Sequence, residues 1–186
     1  GLINRDTITT LTNTGTISAV GVYGLFNKGG ASITTLTNSG TISADGHYGL
    51  FTEGTITTLT NSGTISAGDD YGLYHATGTI TTLTNTGTIS ASGNNIGINN
   101  SSTGTITTLN NSQGASGSAL TYDGTLPTNY NVIVNSTSDY GKIVFSSVSG
   151  TTTFGVDSSS TLANDTTYSS VLSGLSSGDI ASGTSG

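Results

Sequence analysis

The sequence predicts an all-β fold: a right-handed parallel β-helix of about five coils of about 24 residues, followed by a β-rich C-terminal cap. Three observations predict it. Ile8, Ile33, Ile56, Ile80 and Ile106 head five similar segments, at steps of 25, 23, 24 and 26 residues. From Leu11 onward the chain alternates, with Leu11, Asn13, Gly15, Ile17 and Ala19 on one parity and Thr10, Thr12, Thr14, Thr16 and Ser18 on the other. That period of two marks a strand with one buried face. Helical periodicity is absent, and Thr, Ser, Gly and Asn are poor residues for a helix interior.

Each unit then reads as three short strands. The first carries the Ile and Leu rows (Leu11, Leu36, Leu59, Leu83, Leu109) and ends on Asn13, Asn38, Asn61, Asn85 and Asn111. Asn13-Thr14-Gly15 and its copies break the strand at a corner, since Asn and Gly tolerate left-handed backbone angles. A second strand follows in four units with Ile17, Ile42, Ile65 and Ile89 and then Ala19, Ala44, Ala67 and Ala91. The third reads Tyr23-Gly24-Leu25-Phe26, Tyr48-Gly49-Leu50-Phe51, Tyr71-Gly72-Leu73-Tyr74 and Asn95-Ile96-Gly97-Ile98. A unit this short cannot bury its apolar face alone, so units must stack. Stacking sets like on like, and the five Asn become a ladder of amides hydrogen-bonded along the axis.

The period decays after Asn111, where Ser112-Gln113-Gly114-Ala115-Ser116-Gly117 replaces the corner and second strand. Two regions are expected: repeats over 1–114 and a β-rich cap or tail over 115–186, which shields the last coil from edge-to-edge pairing. Ser182-Gly183-Thr184-Ser185-Gly186 reads as a flexible joint.

Composition excludes several classes. Charged residues make up 7% of the chain, where an average soluble domain has about 25%. Three basic residues against ten acidic ones leave no basic patch for nucleic acid. There is no Cys, hence no disulfide framework, thiolate metal site or thiol nucleophile. No apolar run is long enough to span a membrane, and the first residues lack the basic and apolar regions of a signal peptide. No phosphate-binding Gly-Lys-Ser/Thr string occurs, and no cofactor is expected.

Catalysis by a β-helix needs paired carboxylates, or a carboxylate with basic groups or calcium. The candidates are Asp45-Gly46-His47 and Gly68-Asp69-Asp70, with His75 beyond; stacking would bring Asp45 near Asp69. Asp and Gly are equally turn residues, His47 and His75 read as exposed loop residues, and the equivalent positions Val20-Gly21-Val22 and Ser92-Gly93-Asn94 carry no ionisable group. No catalytic or metal-binding residue is therefore assigned. Outward Thr columns (Thr12, Thr37, Thr60, Thr84 and Thr16, Thr41, Thr64, Thr88) raise ice binding, although the corner between them turns the two columns in different directions. The candidate contact stripe is Ile3, Phe26, Phe51 and Tyr74, whose neighbours Leu2, Leu25, Leu50 and Leu73 point inward; strand parity makes it an exposed apolar and aromatic row.

The string Ile56-Thr57-Thr58-Leu59-Thr60-Asn61-Ser62-Gly63-Thr64-Ile65 with its near copies resembles the β-strand repeats of bacterial autotransporter-type passenger domains. The tail from Gly124-Thr125-Leu126-Pro127 through Tyr168-Ser169-Ser170-Val171-Leu172 resembles the segment that follows such repeats in large surface proteins. The resemblance implies a right-handed β-helix exported through a Gram-negative outer membrane, and it carries over no catalytic residue. The expected function is a non-enzymatic structural or adhesive module of a bacterial cell surface, extracellular fibre or matrix, self-associating head-to-tail or laterally or binding a surface glycan or protein. A glycan-binding or glycan-cleaving β-helix is the alternative, and an ice-binding solenoid the second. Gly1-Leu2-Ile3-Asn4 aligns with Gly24-Leu25-Phe26-Asn27, so the first coil starts at its third strand, and upstream coils, a partner or another copy are expected to pair with its open edge.

Overall fold

A computed structural model describes residues 1–114 and 117–181; the joint read at 182–186 lies outside the described residues. In chain order the strands are β1 (Leu2–Asn4), β2 (Thr7–Asn13), β3 (Thr16–Ala19), β4 (Tyr23–Asn27), β5 (Ser32–Asn38), β6 (Thr41–Ala44), β7 (Tyr48–Thr52), β8 (Thr55–Asn61), β9 (Thr64–Ala67) and β10 (Tyr71–His75). They continue as β11 (Gly78–Asn85), β12 (Thr88–Ala91), β13 (Ile96–Asn100), β14 (Gly104–Asn111), β15 (Leu120–Thr125), β16 (Asn129–Val132), β17 (Ile143–Ser149), β18 (Thr153–Val156) and β19 (Leu172–Ser173). One turn of 3-10 helix, Ser177–Asp179, is the helical content of the described residues.

Each strand pairs in parallel with its equivalent one coil on, giving a β-solenoid of about six turns. Sheet A is eight-stranded, in the order β1-β4-β7-β10-β13-β15-β17-β19. Sheet B has seven strands (β2, β5, β8, β11, β14, β16, β18) and sheet C has four (β3, β6, β9, β12). The register is like on like: Ile33 pairs with Ile56, Leu36 with Leu59, Asn38 with Asn61, Ile42 with Ile65 and Leu50 with Leu73. The inward Ile and Leu side chains from β4 to β14 form one continuous buried cluster.

Two glycine rows are set by close approach. At the Asn-x-Gly corner, a Cβ on Gly40 would lie 2.0 Å from the Gly15 carbonyl oxygen. These corner glycines do not use the left-handed angles open to them; the contact between coils is what excludes a side chain. The second row is Gly24, Gly49 and Gly72. A Cβ on Gly49 would meet the Ser66 carbonyl oxygen of sheet C at 2.6 Å. Gly24 and Leu25 are both buried, so strict alternation slips there, with consequences for the aromatic residues on either side.

The C-terminal half, expected as a β-rich cap or tail, carries the coils onward. β15 to β19 extend sheets A and B in parallel, so both sheets continue past β13 and β14. Only sheet C stops, at β12. The inner columns compensate in volume. The Leu25–Leu50–Leu73–Ile98 column continues as Tyr122 and Phe145, and Leu83–Leu109 continues as Tyr130 and Phe154. These rings pack together, Tyr122 on Phe145 at 5.5 Å and Tyr130 on Phe154 at 6.1 Å, and put larger side chains in the interior of coils that have no sheet C strand.

Because Leu59 is fully buried and Thr60 is only partly so, Leu59→Ala is expected to cost about 2–5 kcal/mol and Thr60→Ala well under that. Urea denaturation of the two variants checks it; equal small losses would contradict the inward assignment.

Candidate functional site

Three stacked columns hold the chemically distinctive side chains. The first is the corner ladder. The Nδ2 atoms of Asn13, Asn38, Asn61 and Asn85 donate in turn to the Oδ1 atoms of Asn38, Asn61, Asn85 and Asn111, at 2.7, 2.8, 2.9 and 3.2 Å. Each amide also serves the backbone. Asn38 Nδ2 donates to Thr64 O at 3.0 Å and Gly40 O at 3.2 Å, and Asn61 Nδ2 to Thr88 O at 3.2 Å. Asn38, Asn61, Asn85 and Asn111 are wholly buried, so the amides satisfy corner carbonyls that water cannot reach.

The ladder ends on Gln113, which replaces the corner Gly of the last repeat. Its Oε1 accepts from Asn85 Nδ2 at 2.9 Å and from the Ile89 backbone N–H at 2.8 Å, while its Nε2 donates to Ile89 O at 3.3 Å. One side-chain amide thus pairs with the edge of β12 as a peptide unit of a further strand would.

A second interior column at the end of the sheet A strands was not recognised in the sequence, although its signal is there: Asn27, Thr52, His75 and Asn100 each stand two residues after the inward Leu or Ile. Asn4 donates to Asn27 at 2.8 Å and Asn27 to Thr52 Oγ1 at 3.2 Å. His75 occupies the next position and is fully buried in β10, which corrects its assignment to an exposed loop. Neither of its ring nitrogens has a hydrogen-bond partner, and the neighbouring Asn100 Oδ1 has none. Burial pushes the His75 pKa below the ordinary imidazole range, and the backbone of Thr105, Gly78 and Thr52 close by opposes the shift.

The third column is aromatic. Phe26, Phe51 and Tyr74 project outward, but so do Tyr23, Tyr48 and Tyr71, because the slip at Gly24 and its equivalents puts residues three apart on one face. The two rows stack on each other and along the axis: Tyr23 on Phe26 at 4.8 Å, Phe26 on Phe51 at 4.8 Å, Tyr48 on Phe51 at 5.2 Å, Phe51 on Tyr74 at 5.3 Å and Tyr48 on Tyr71 at 6.0 Å. The expected exposed stripe is therefore largely self-covered, with Phe51 7% and Ile3 52% exposed. The ring planes lie between 15° and 43° apart, so neighbouring rings cover part of one another's faces. Burial, with Asp70 and the adjoining tyrosines, raises the Tyr48 pKa to about 12.

The carboxylates do not converge as stacking alone suggested. Ala44 pairs with Ala67, a register that sets Asp45 beside Gly68 and Gly46 beside Asp69. Asp70 instead pairs with His47 Nδ1 at 2.8 Å, with both side chains well exposed. Among the described residues no group of three His, Cys, Asp or Glu is placed to hold a metal ion, and no helix is long and apolar enough to cross a membrane. Compared with protein-family models, curated proteins and solved structures, the chain matches none.

Two outcomes follow. Asn61→Leu is expected to destabilise more than Asn61→Ser, because each buried group left unpaired costs about 1–3 kcal/mol; a melting temperature raised by Leu would contradict the role of the ladder. The unfolded chain takes a proton on His75 near the ordinary value of about 6.5, while the folded chain resists until its lower pKa is reached. Stability linked to His75 is thus present above the ordinary value and falls as pH drops through the interval between the two. His75→Asn, which copies Asn27 and Asn100, should flatten that acid loss in urea titrations between neutral and acid pH, and an unchanged profile would contradict it.

Proposed function

We propose that the chain is a structural or adhesive module of a bacterial cell surface, extracellular fibre or matrix, of the autotransporter-passenger kind, working without catalysis. The observation that carries this is the unbroken axial continuity of sheet A from β1 to β19 together with the amide and aromatic columns. Eight strands at the usual spacing make a rod about 35 Å long, and the repeat coils from Asn4 to Asn111 are tied to one another by buried side-chain bonds as well as by the sheets. Such a construction resists bending and shear, which is what a spacer or fibre element needs. The outer surface is rich in hydroxyls and poor in charge, suited to weak, repeated lateral contact with like surfaces or with glycans. A glycan-cleaving site would require acids on adjacent coils to face one another, and the stagger of Asp45 against Gly68 does not favour that reading.

The test is immunogold labelling of intact source cells with antibody raised against the folded chain, alongside permeabilised cells. Labelling of intact cells and shed fibres is expected; labelling that needs permeabilisation would overturn the surface assignment.

A further inference from the structure

We infer that the outer face of sheet B is a binding surface for crystalline water. In each coil the inward Leu is flanked by two outward residues, giving Thr10-Leu11-Thr12, Thr35-Leu36-Thr37, Thr58-Leu59-Thr60 and Thr82-Leu83-Thr84, followed by Thr108-Leu109-Asn110. The register aligns them without slippage: Thr10, Thr35, Thr58, Thr82 and Thr108 form one row, and Thr12, Thr37, Thr60 and Thr84 the other. Both rows lie on one sheet, unlike the Thr16 row, which belongs to sheet C. The sequence alone suggested columns that turn away from each other across a corner; the structure supplies a pair that share a plane.

The array is two-dimensional and its repeats are fixed by the backbone. Along the axis, Thr follows Thr at the strand spacing of about 4.8 Å, and across it at two residues of parallel strand, about 6.6 Å. A tetrahedral water network with oxygen–oxygen distances of about 2.75 Å places second neighbours about 4.5 Å apart and repeats in the perpendicular direction at about 7.3 Å. Both spacings of the face agree with this lattice to within roughly a tenth, and side-chain rotation can absorb a difference of that size over four coils. Each position offers one hydroxyl that can sit in a water site and one methyl that can lie over a void of the lattice.

Two further observations favour solid water over a protein or an ion as the occupant. β2, β5, β8, β11 and β14 contain no Asp, Glu, Lys, Arg or His, although the chain carries a net charge of −7. The face lacks both the charge an ionic ligand needs and the apolar anchors of a protein interface. Among the described residues, the side-chain hydrogen bonding within these rows is confined to Thr84, whose Oγ1 accepts from Asn110 at 3.3 Å. The other hydroxyls keep both donor and acceptor capacity for water. This inference rests on the spacing of one face, whereas the structural reading rests on the axial continuity of the coils, so either can fail without the other.

The experiment is nanolitre osmometry with microscopy of single ice crystals, on the full 186-residue chain at millimolar concentration. A gap between melting and freezing with faceted growth is expected. Thr60→Lys, at the centre of the array, should lose most of the gap, whereas Ser66→Lys, on the outer side of sheet C, should keep it; circular dichroism establishes that each is folded. Thr58→Ser, which removes one methyl and keeps the hydroxyl, is the gentler second variant and should reduce the gap without disturbing the fold. Absence of faceting and of any gap in the wild type would overturn the inference, as would equal losses in Thr60→Lys and Ser66→Lys. Sedimentation showing that sheet B is covered by a second copy, with no gap measured, would also overturn it.

Discussion

The buried amide ladder is the interaction on which the rest of the structure depends. A solenoid coil must turn sharp corners, and at each corner backbone carbonyls point inward where water cannot reach them. The Asn that ends each sheet B strand from β2 to β11 donates to the next Asn, and Asn38 also to the carbonyl of the next corner, so a single side chain satisfies the corner and fixes the axial register. That register carries everything else: Leu on Leu in the core, Gly on Gly at the corners, ring on ring outside. A shift of one residue in any strand would turn its apolar side chains to solvent and break the ladder at once. The repeat is therefore strict where it contacts the ladder, and variable in the loops that do not.

The two ways the solenoid departs from its repeat have a common physical cause, the need to fill or close what the repeat leaves open. Where sheet C stops, its Ile and Ala columns are lost, and Tyr122, Phe145, Tyr130 and Phe154 enlarge the remaining inner columns. Where β12 becomes an edge, the Gln113 amide pairs with it. On the outside, by contrast, the aromatic rows stack because the glycine slip brings two rows to one face. Stacked in this way they stabilise the coil spacing, with ring contacts of order 0.5–1.5 kcal/mol each.

The exposed surface is partitioned. In the repeats Asp, Glu, Lys and Arg stand at corners and loops, as does the His47–Asp70 pair, whose exposure makes it worth at most about 1 kcal/mol. The outer faces of sheets B and C carry hydroxyls, and that of sheet A carries the stacked rings. A rod with neutral, regular faces and charged corners has its contact chemistry set by spacing more than by charge, which links the proposed structural role to the ordered face of sheet B without requiring that they be the same property.

Much of the architecture was legible in the sequence, because a repeat with a period near 24 and an internal alternation of two admits few folds: the three strands per coil, the parallel stacking and the Asn ladder all follow from residue types at fixed offsets. What only the tertiary structure decided lies where a residue's environment comes from the neighbouring coil. His75 sits in the same strand position as Asn27 and Thr52, yet an isolated histidine gives no sign of burial until the coils above and below enclose it. Strand parity sent Phe26, Phe51 and Tyr74 to an open surface, and the backbone slip at the preceding glycines, forced by the approach of sheet C, placed a second ring row over them. The tail lost the sequence period while keeping the fold, because a β-solenoid requires hydrogen-bonded strands and a filled interior. Tyr and Phe in fewer strands fill that interior as well as Leu, Ile and Ala in more.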